Sequence, residues 1–389
     1  MTTFDIVPSQ TAAQTVPVTV VDTDVHPMPV STDVLKTYAP ADWVDKIWPR
    51  GNAVAPVSHF YDTPDAYKTS SMRVDAMPPR GGFAGTDPEF AAQQLLLDAG
   101  VSIAVLEPMC DHQLPQHEHV LKSTYNDWLA DVWLNQNNAH GRWRGSVSVS
   151  AQVPADAARE VERWGGHPYM AEVLMTPQTR GIPFGNPHFD PLYEAAARNG
   201  LPIATHLMGQ TPFELIPVYP VGNPAHWHDF FASWPLLYVS HLMSLVFDGA
   251  FDRHPELRVV FVEGGFTWAM PVMSRMDRIW EQRKGDLPHV RRRPSDYVRE
   301  HVRFTTQPLE EVEVETYLEY LDMMDMGDNI MFSTDYPHWS YDSPTWAINR
   351  FPADQRERIM KGNATALYGL PAVVGALPGE RSSGGAEAV

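Results

Sequence analysis

Short runs of apolar, β-branched residues alternate along this chain with longer segments in which apolar residues recur at helical spacing. Short apolar runs are typical of buried strands, and their alternation with helical segments is typical of βα units around a parallel sheet. The run that begins at Val18 is the first strand candidate, and helices are predicted over 87–99 and 117–138. Further strands are predicted over 101–106, 145–150, 171–175, 201–206, 258–263 and 329–334, with an eighth over 302–306.

This alternation predicts one α/β domain, a distorted TIM (β/α)8 barrel that covers residues 1–370. The long stretch 27–87, rich in proline, aspartate and aromatic residues, follows the first strand. Structureless stretches of this length are seldom idle, so we expect an insertion at the barrel rim that serves as a lid or an oligomer contact. The polar, glycine-rich segment 371–389 is predicted to be a disordered tail.

Charge and cysteine content narrow the class of protein. The formal net charge of −19 argues against nucleic acid or an anionic membrane as a partner. A single cysteine, Cys110, excludes an internal disulfide framework. No apolar run has the length of a membrane helix, and the polar N-terminus lacks the pattern of a signal peptide. We therefore expect a cytoplasmic protein that acts on a small molecule.

Four metal-competent side chains follow the ends of predicted strands. Asp24 and His26 close the first strand, and because they are two residues apart they share one face. His206 closes the 201–206 strand, and Asp335 follows the 329–334 strand. The carboxyl ends of barrel strands are where barrel enzymes place their chemistry. Each residue alone fits a structural role better, but the four together predict one divalent metal ion, with zinc preferred to manganese or iron.

Two longer motifs give the chain a family resemblance. The segment Phe-Ser-Thr-Asp-Tyr-Pro-His at 332–338 and the segment Gly-Asn-Ala-Thr-Ala-Leu-Tyr at 362–368 resemble signatures of the amidohydrolase-related metalloenzymes. Within that family the chain is similar to aminocarboxymuconate-semialdehyde decarboxylase and the resorcylate-type decarboxylases. The resemblance spans residues 18–370 and implies a distorted TIM barrel, one catalytic metal on Asp24, His26, His206 and Asp335, and a homodimer.

The chain departs from these decarboxylases at two positions. Glu263 stands where they carry a histidine after the sixth strand, and His241 stands where they tend to carry a glutamate. We hypothesise that His241 and Glu263 are neighbours that form one proton-handling pair. The alternative is that His241 is a helix residue packed away from the metal.

Three further residues are candidates for substrate binding. Arg180 follows the fourth strand and could hold a substrate carboxylate with two hydrogen bonds, although a single arginine is more often a surface residue. Trp268 falls near the expected pocket mouth, where an aromatic wall suits a planar substrate. His338 could support Asp335 or contact the substrate.

Two reactions fit this set of residues. The first is the non-oxidative decarboxylation of an aromatic or unsaturated carboxylic acid, with Asp335 or His241 delivering a proton to carbon. The second is metal-dependent hydrolysis of a C–N, C–O or C–C bond in a small cyclic substrate, with Glu263 or Asp335 as the general base. A third reading, a barrel without catalytic activity that is kept for binding, is disfavoured by the intact metal set. The resemblance favours decarboxylation.

Overall fold

Eight parallel strands form the barrel in a computed structural model that describes residues 14–48, 72–110, 115–206, 227–309, 313–378 and 380. The barrel strands are paired in sequence order, which is the pattern of a (β/α)8 barrel. They are β2 (Val21–Val25), β3 (Ile103–Leu106), β4 (Trp143–Ser148), β5 (Met170–Met175), β6 (Ile203–Thr205), β7 (Val259–Phe261), β8 (Val302–Thr305) and β9 (Ile330–Met331). All eight strands predicted from the sequence are confirmed, with shorter bounds for most of them.

The helices lie around the barrel and between its strands. Both predicted helices are present, and each continues from an α-helix into a π-helical segment, Ala92–Asp98 and Leu129–Gln136. The helices are α1 (Thr32–Lys36), α2 (Val44–Ile47), α3 (Pro88–Ala91), α4 (Pro115–Trp128), α5 (Pro154–Trp164), α6 (Asp190–Arg198), α7 (Trp227–Phe247), α8 (Ala250–Arg253), α9 (Ala269–Arg283), α10 (Pro294–His301), α11 (Val314–Met324), α12 (Pro344–Ala347), α13 (Ala353–Glu357) and α14 (Asn363–Tyr368).

No described helix is both long and apolar enough to span a membrane. The apolar side chains instead form two layers, as expected for a closed barrel. Val21, Val260, Val262 and Met331 belong to the inner cluster of the barrel. Val259, Phe261, Val302 and Phe304 belong to the outer cluster between the strands and the helices, because neighbouring residues of a strand point to opposite faces.

The barrel closes between β2 and the segment that follows β9. Thr23 donates its backbone N–H to Phe332 O, and His26 donates its own to Tyr336 O at 2.8 Å. In the opposite direction, the N–H of Asp335 donates to Asp24 O at 3.1 Å. These closing bonds place Asp24, His26 and Asp335 side by side, although they are about 310 residues apart in sequence (335 − 24 = 311).

Part of the predicted insertion lies against this closure. Residues 49–71 fall outside the described part of the chain, but Met72 pairs with His338 in an antiparallel bridge. Gly85 adopts a φ of +77°, and an added Cβ would lie 2.5 Å from the carbonyl oxygen of His26. The described end of the insertion therefore packs directly against the loop that carries the metal-competent residues.

A short antiparallel ribbon joins the N-terminal and C-terminal segments of the described chain. The strand β1 (Thr15–Pro17) pairs with β10 (Val373–Gly375), and the Ala376 N–H donates to Gln14 O. The predicted disorder from residue 371 onward is therefore wrong for residues 371–378, because backbone pairing to the N-terminal segment orders them. Residues 381–389 lie outside the described part of the chain.

Arg142 links this ribbon to the barrel, and its replacement tests the link. The buried guanidinium donates from Nε to Gly375 O at 2.9 Å and pairs with Glu380. We expect Arg142→Met to lower the free energy of unfolding by about 1–3 kcal/mol, measured by urea denaturation, because two partly buried acceptors lose their charged donor. Arg159→Met removes a guanidinium that is 71% exposed and should change stability by less than about 0.5 kcal/mol. Equal stabilities for both variants would contradict the role of Arg142.

Candidate metal centre

Asp24 and His26 flank the last residue of β2, and both side chains are fully buried. The Nδ1 atom of His26 lies 3.0 Å from the backbone carbonyl oxygen of Glu107, just after β3. A carbonyl oxygen only accepts, so Nδ1 carries a hydrogen and Nε2 is the nitrogen that could bind a metal ion. Histidines that bind metals are oriented in this way.

Nε2 of His26 faces carboxylate oxygens from two strands. It lies 2.9 Å from Asp24 Oδ1 and 3.1 Å from Asp335 Oδ1. Yet within the described part of the chain neither Asp24 oxygen nor this nitrogen makes a hydrogen bond of acceptable geometry. Buried polar atoms without such partners are rare, and here they converge on one point. This donor set, two carboxylates and neutral imidazoles, fits a divalent cation.

The same buried carboxylates raise the pKa of His26. Burial alone opposes protonation of this ring, but the carboxylates of Asp24 and Asp335 outweigh burial and raise its pKa to about 10. The carboxylates of Asp24 and Asp335 therefore favour positive charge at this ring, and a proton on His26 is one way to supply it. A metal ion would replace that proton.

Asp335 is held by several hydrogen bonds beside the closure. Its backbone has a φ of +61°, the left-handed region that non-glycine residues seldom adopt. His338 Nδ1 forms a very short hydrogen bond with Asp335 Oδ1, and Gln307 Nε2 donates to Oδ2 at 3.2 Å. Burial opposes ionisation, but His338 and His26 together lower the pKa of Asp335 below its usual range. Asp335 is therefore ionised and suited to bind a cation.

His206 completes the set from the end of β6. Its Nε2 lies 3.8 Å from Asp24 Oδ1, and its ring centroid lies 4.8 Å from that of His26. Asp24, His26 and His206 place their ligand atoms within 4.8 Å of one another, and His26, Asp335 and His338 do the same. Burial lowers the pKa of His206 to about 4, so this imidazole is neutral, as a metal ligand must be.

Glu263 follows β7 and approaches the set from the side of His206. Its Oε2 lies 3.1 Å from His206 Nε2, and its backbone φ of +56° is again left-handed. The Thr305 hydroxyl accepts the Glu263 N–H at 3.0 Å. Burial raises the pKa of Glu263 well above its usual value, and the charges of Asp335 and Asp24 raise it further.

Comparison with family models assigns the chain to a family. The model of the amidohydrolase family matches residues 21–370, nine-tenths of the chain and all of the residues above. The chain belongs to the amidohydrolase family. The resemblance read from the 332–338 and 362–368 motifs is thus confirmed.

The curated relatives and the solved structures that are similar to this chain include several decarboxylases. This amidohydrolase and a gamma-resorcylate decarboxylase of Polaromonas sp. are 28% identical over 258 residues. The aligned residues cover 63% of this chain and 75% of the relative. The chain is 24% identical over 265 residues to a 2-amino-3-carboxymuconate-6-semialdehyde decarboxylase of Dictyostelium discoideum, covering 66% and 68%. A 5-carboxyvanillate decarboxylase of Novosphingobium aromaticivorans with bound manganese has a similar fold, with a TM-score of 0.65, 17% identity and coverage of 90% and 97%.

The proposed pair of His241 and Glu263 is not formed in this amidohydrolase. His241 lies on α7 with both ring nitrogens bound to another part of the chain, Nδ1 to the Phe184 N–H and Nε2 to Pro177 O. Its ring stacks on Phe184 with centroids 3.8 Å apart. The prediction that His241 handles a proton for catalysis is therefore wrong, because no ring nitrogen is left for that role.

Trp268 is also displaced from the predicted site. Its indole packs against Phe261 and Phe304 in the outer layer, and Nε1 donates to Gly265 O at 3.1 Å. Outer-layer side chains point away from the barrel interior, so this packing does not support the predicted substrate contact, which stays a prediction. Arg180 lies exposed in the segment after β5, and its role stays a prediction. His338 supports Asp335, as one of its two predicted roles required.

Two residues of the site were missed from the sequence. Glu107 directly follows the apolar run 101–106, the same signal that singled out Asp24, and its buried carboxyl lies among the other acids. Trp234 lies on α7 with its ring 6.4 Å from that of His206. No local signal distinguishes Trp234, because α7 is apolar around most of its circumference.

Removal of one carboxylate tests the metal centre. We expect Asp24→Asn to weaken binding of manganese or zinc by at least about 100-fold, since even a lost supporting contact typically costs about 10- to 100-fold. The ion content of dialysed protein, measured by plasma mass spectrometry, checks this. Glu172→Gln is the matched control, because this buried carboxyl lies within β5 and is bonded by Ser146 and Tyr368 instead. Full metal content in Asp24→Asn would exclude Asp24 as a ligand.

Proposed function

We propose that this amidohydrolase is a metal-dependent, non-oxidative decarboxylase of an aromatic or unsaturated carboxylic acid. The observation that carries the proposal is a buried set of two carboxylates and two imidazoles at the strand ends of a chain whose curated relatives are decarboxylases. A 2,6-dihydroxybenzoate decarboxylase solved with 2,6-dihydroxybenzoate shares the fold, with a TM-score of 0.58 and 17% identity. Hydrolysis, the alternative, has no support among these relatives.

Asp24, His26, His206 and Asp335 would hold the ion. When bound, a divalent cation supplies positive charge that binds the substrate carboxylate and stabilises negative charge in the transition state. The sequence favours zinc, whereas three of the similar structures contain manganese. A set with equal numbers of nitrogen and carboxylate ligands suits either ion.

Decarboxylation needs a proton for the carbon that loses CO2. The bond between that carbon and the carboxylate breaks, its electron pair stays on the carbon, and a proton is then added there. Glu263 is suited to supply this proton, because its carboxyl contacts His206 yet lies outside the proposed ligand set. Asp335 is less suited, because its oxygens are already bonded to His338 and Gln307.

An aromatic wall beside His206 supports a planar substrate. Trp234 lies against His206, Phe231 lies 4.6 Å from Trp234, and Trp339 lies 5.4 Å from Phe231 between ring centroids. This row runs from a proposed ligand to a tryptophan that is 52% exposed. Aromatic rings of a substrate pack well against such surfaces.

The predicted homodimer is retained as part of the proposal, and α7 is its proposed interface. Residues 230–247 contain no aspartate, glutamate, lysine or arginine, yet Leu236 and Met243 on this helix are 46% and 36% exposed. A helix that is apolar all round is normally covered by other protein. The predicted cytoplasmic location stays a prediction.

Carbon dioxide release tests the proposed reaction. Manganese- or zinc-loaded protein is incubated with 2,6-dihydroxybenzoate, 5-carboxyvanillate and dienoic acids, and CO2 is measured in the headspace. We expect CO2 from at least one acid. If no acid releases CO2 while amides or esters are cleaved, the protein is a hydrolase instead.

Glu263→Gln separates proton delivery from metal binding. We expect kcat to fall by about 10²- to 10⁴-fold, the usual contribution of a positioned acid, while metal content is unchanged. Glu263→Asp keeps the carboxyl and should retain more activity than Glu263→Gln. Unchanged turnover in Glu263→Gln would remove Glu263 from the mechanism.

Charged substitutions on α7 test the dimer. We expect Leu236→Glu combined with Met243→Glu to convert two-chain particles into single chains in light scattering, because the new carboxylates would be buried without partners. The matched pair Ile279→Glu and Met323→Glu alters side chains that are 48% and 69% exposed on other helices. That pair should leave the mass unchanged, and a similar effect of both pairs would contradict α7 as the interface.

A further inference from the structure

His241 makes contacts that neither the metal centre nor the proposed reaction uses. Its side chain is fully buried, Nε2 lies 2.9 Å from Pro177 O, and Nδ1 lies 3.2 Å from the Phe184 nitrogen. Pro177 O only accepts and Phe184 N–H only donates, so the ring is neutral with its hydrogen on Nε2. Burial lowers the pKa of His241 to about 4, which is consistent with this neutral ring.

The two bonded residues bracket one segment, 177–184, which follows β5. Within it, the Ile182 N–H donates to Thr179 O at 3.1 Å and the Thr179 hydroxyl donates to Ile182 O, closing a tight turn. Arg180 and Gly181 lie at the tip of this turn with left-handed φ values of +56° and +76°. Non-glycine residues in this conformation carry strain that the surroundings must hold in place.

Residues of α7 on either side of His241 form further hydrogen bonds to backbone groups near the site. Ser244, three residues after His241, accepts the Gly185 N–H at 2.9 Å, and the helix backbone there leaves no room for a Cβ on Gly185. Tyr238, three residues before His241, donates to Val262 O at 2.6 Å, next to Glu263. One face of α7 therefore joins the 177–184 segment to the strand end that carries Glu263.

We propose that His241 is a positioning residue that fixes the 177–184 segment and thereby directs Arg180 toward the substrate carboxylate. The part that concerns the carboxylate rests on the proposed function. The claim that His241 fixes the segment rests only on the two hydrogen bonds and the stacked ring. Arginine suits this task because its planar guanidinium can bind a carboxylate with two hydrogen bonds, provided that its backbone is held still.

Hydrogen exchange tests whether His241 fixes the 177–184 segment, and it needs no substrate. His241→Phe keeps an aromatic ring against Phe184 but removes both hydrogen bonds, so the amides of residues 177–185 should exchange at least about tenfold faster. His241→Asn keeps an acceptor near the Phe184 N–H, and His241→Gln keeps a donor near Pro177 O, so both should be intermediate. His301→Phe is the matched control, since this buried histidine stacks on Phe251 and binds Leu257 O before β7. Unchanged exchange in His241→Phe, or equal changes in His301→Phe, overturns the proposal.

Kinetics test the link to Arg180. With the acid that is decarboxylated fastest, His241→Phe and Arg180→Met should each raise KM about tenfold and change kcat by less than about threefold, as expected for lost substrate binding. The double variant should resemble Arg180→Met, because His241 acts through Arg180. Additive effects, or a loss of kcat alone, overturn the role. If no acid is decarboxylated, the proposed function fails, while the exchange experiment still decides whether His241 fixes the segment.

Discussion

The negative charge buried at the carboxyl end of the barrel is the constraint on which the rest of the site depends. Asp24, Glu263 and Asp335 are almost fully buried, and the ion pairs that the described residues form with them all involve histidines. Isolated buried carboxylates are too costly to remain ionised. The free-energy cost of burying these carboxylates can be lowered by a proton on His26, by a proton on Glu263 or by a bound cation.

Nearby acids that do not face the proposed ion are stabilised in another way. Asp22 accepts hydrogen bonds from the backbone and hydroxyl of Thr334, although burial still raises its pKa to about 8. Glu172 accepts from Ser146 and Tyr368, and Tyr368 belongs to the motif at 362–368. This contrast supports the assignment of the ligand set, since the described residues supply hydrogen bonds to the carboxyls of Asp22 and Glu172 but none of acceptable geometry to that of Asp24.

The sequence predicted the barrel and the proposed ligands because one local rule governs both. Polar residues that end an apolar run lie at the carboxyl ends of parallel strands, and closure of the barrel brings Asp24, His206 and Asp335 together. Glu107 obeys the same rule and could have been found. His241 and Trp268 could not be placed, because the direction of a helix or loop side chain depends on which layer covers it. Pairing of the chain ends in β1 and β10 is similarly a long-range contact without a local signal.

Glu263 and His241, the acid and the histidine with exchanged positions in the sequence, do not form a pair in the structure. Glu263 lies in the site, where the resemblance implies a histidine, whereas His241 lies on α7 with both nitrogens bonded to backbone groups. The two side chains are therefore held by different contacts. A carboxyl in place of an imidazole adds to the buried negative charge, so it can remain there only as a neutral acid or beside a cation. This requirement is consistent with the proton donation proposed for Glu263.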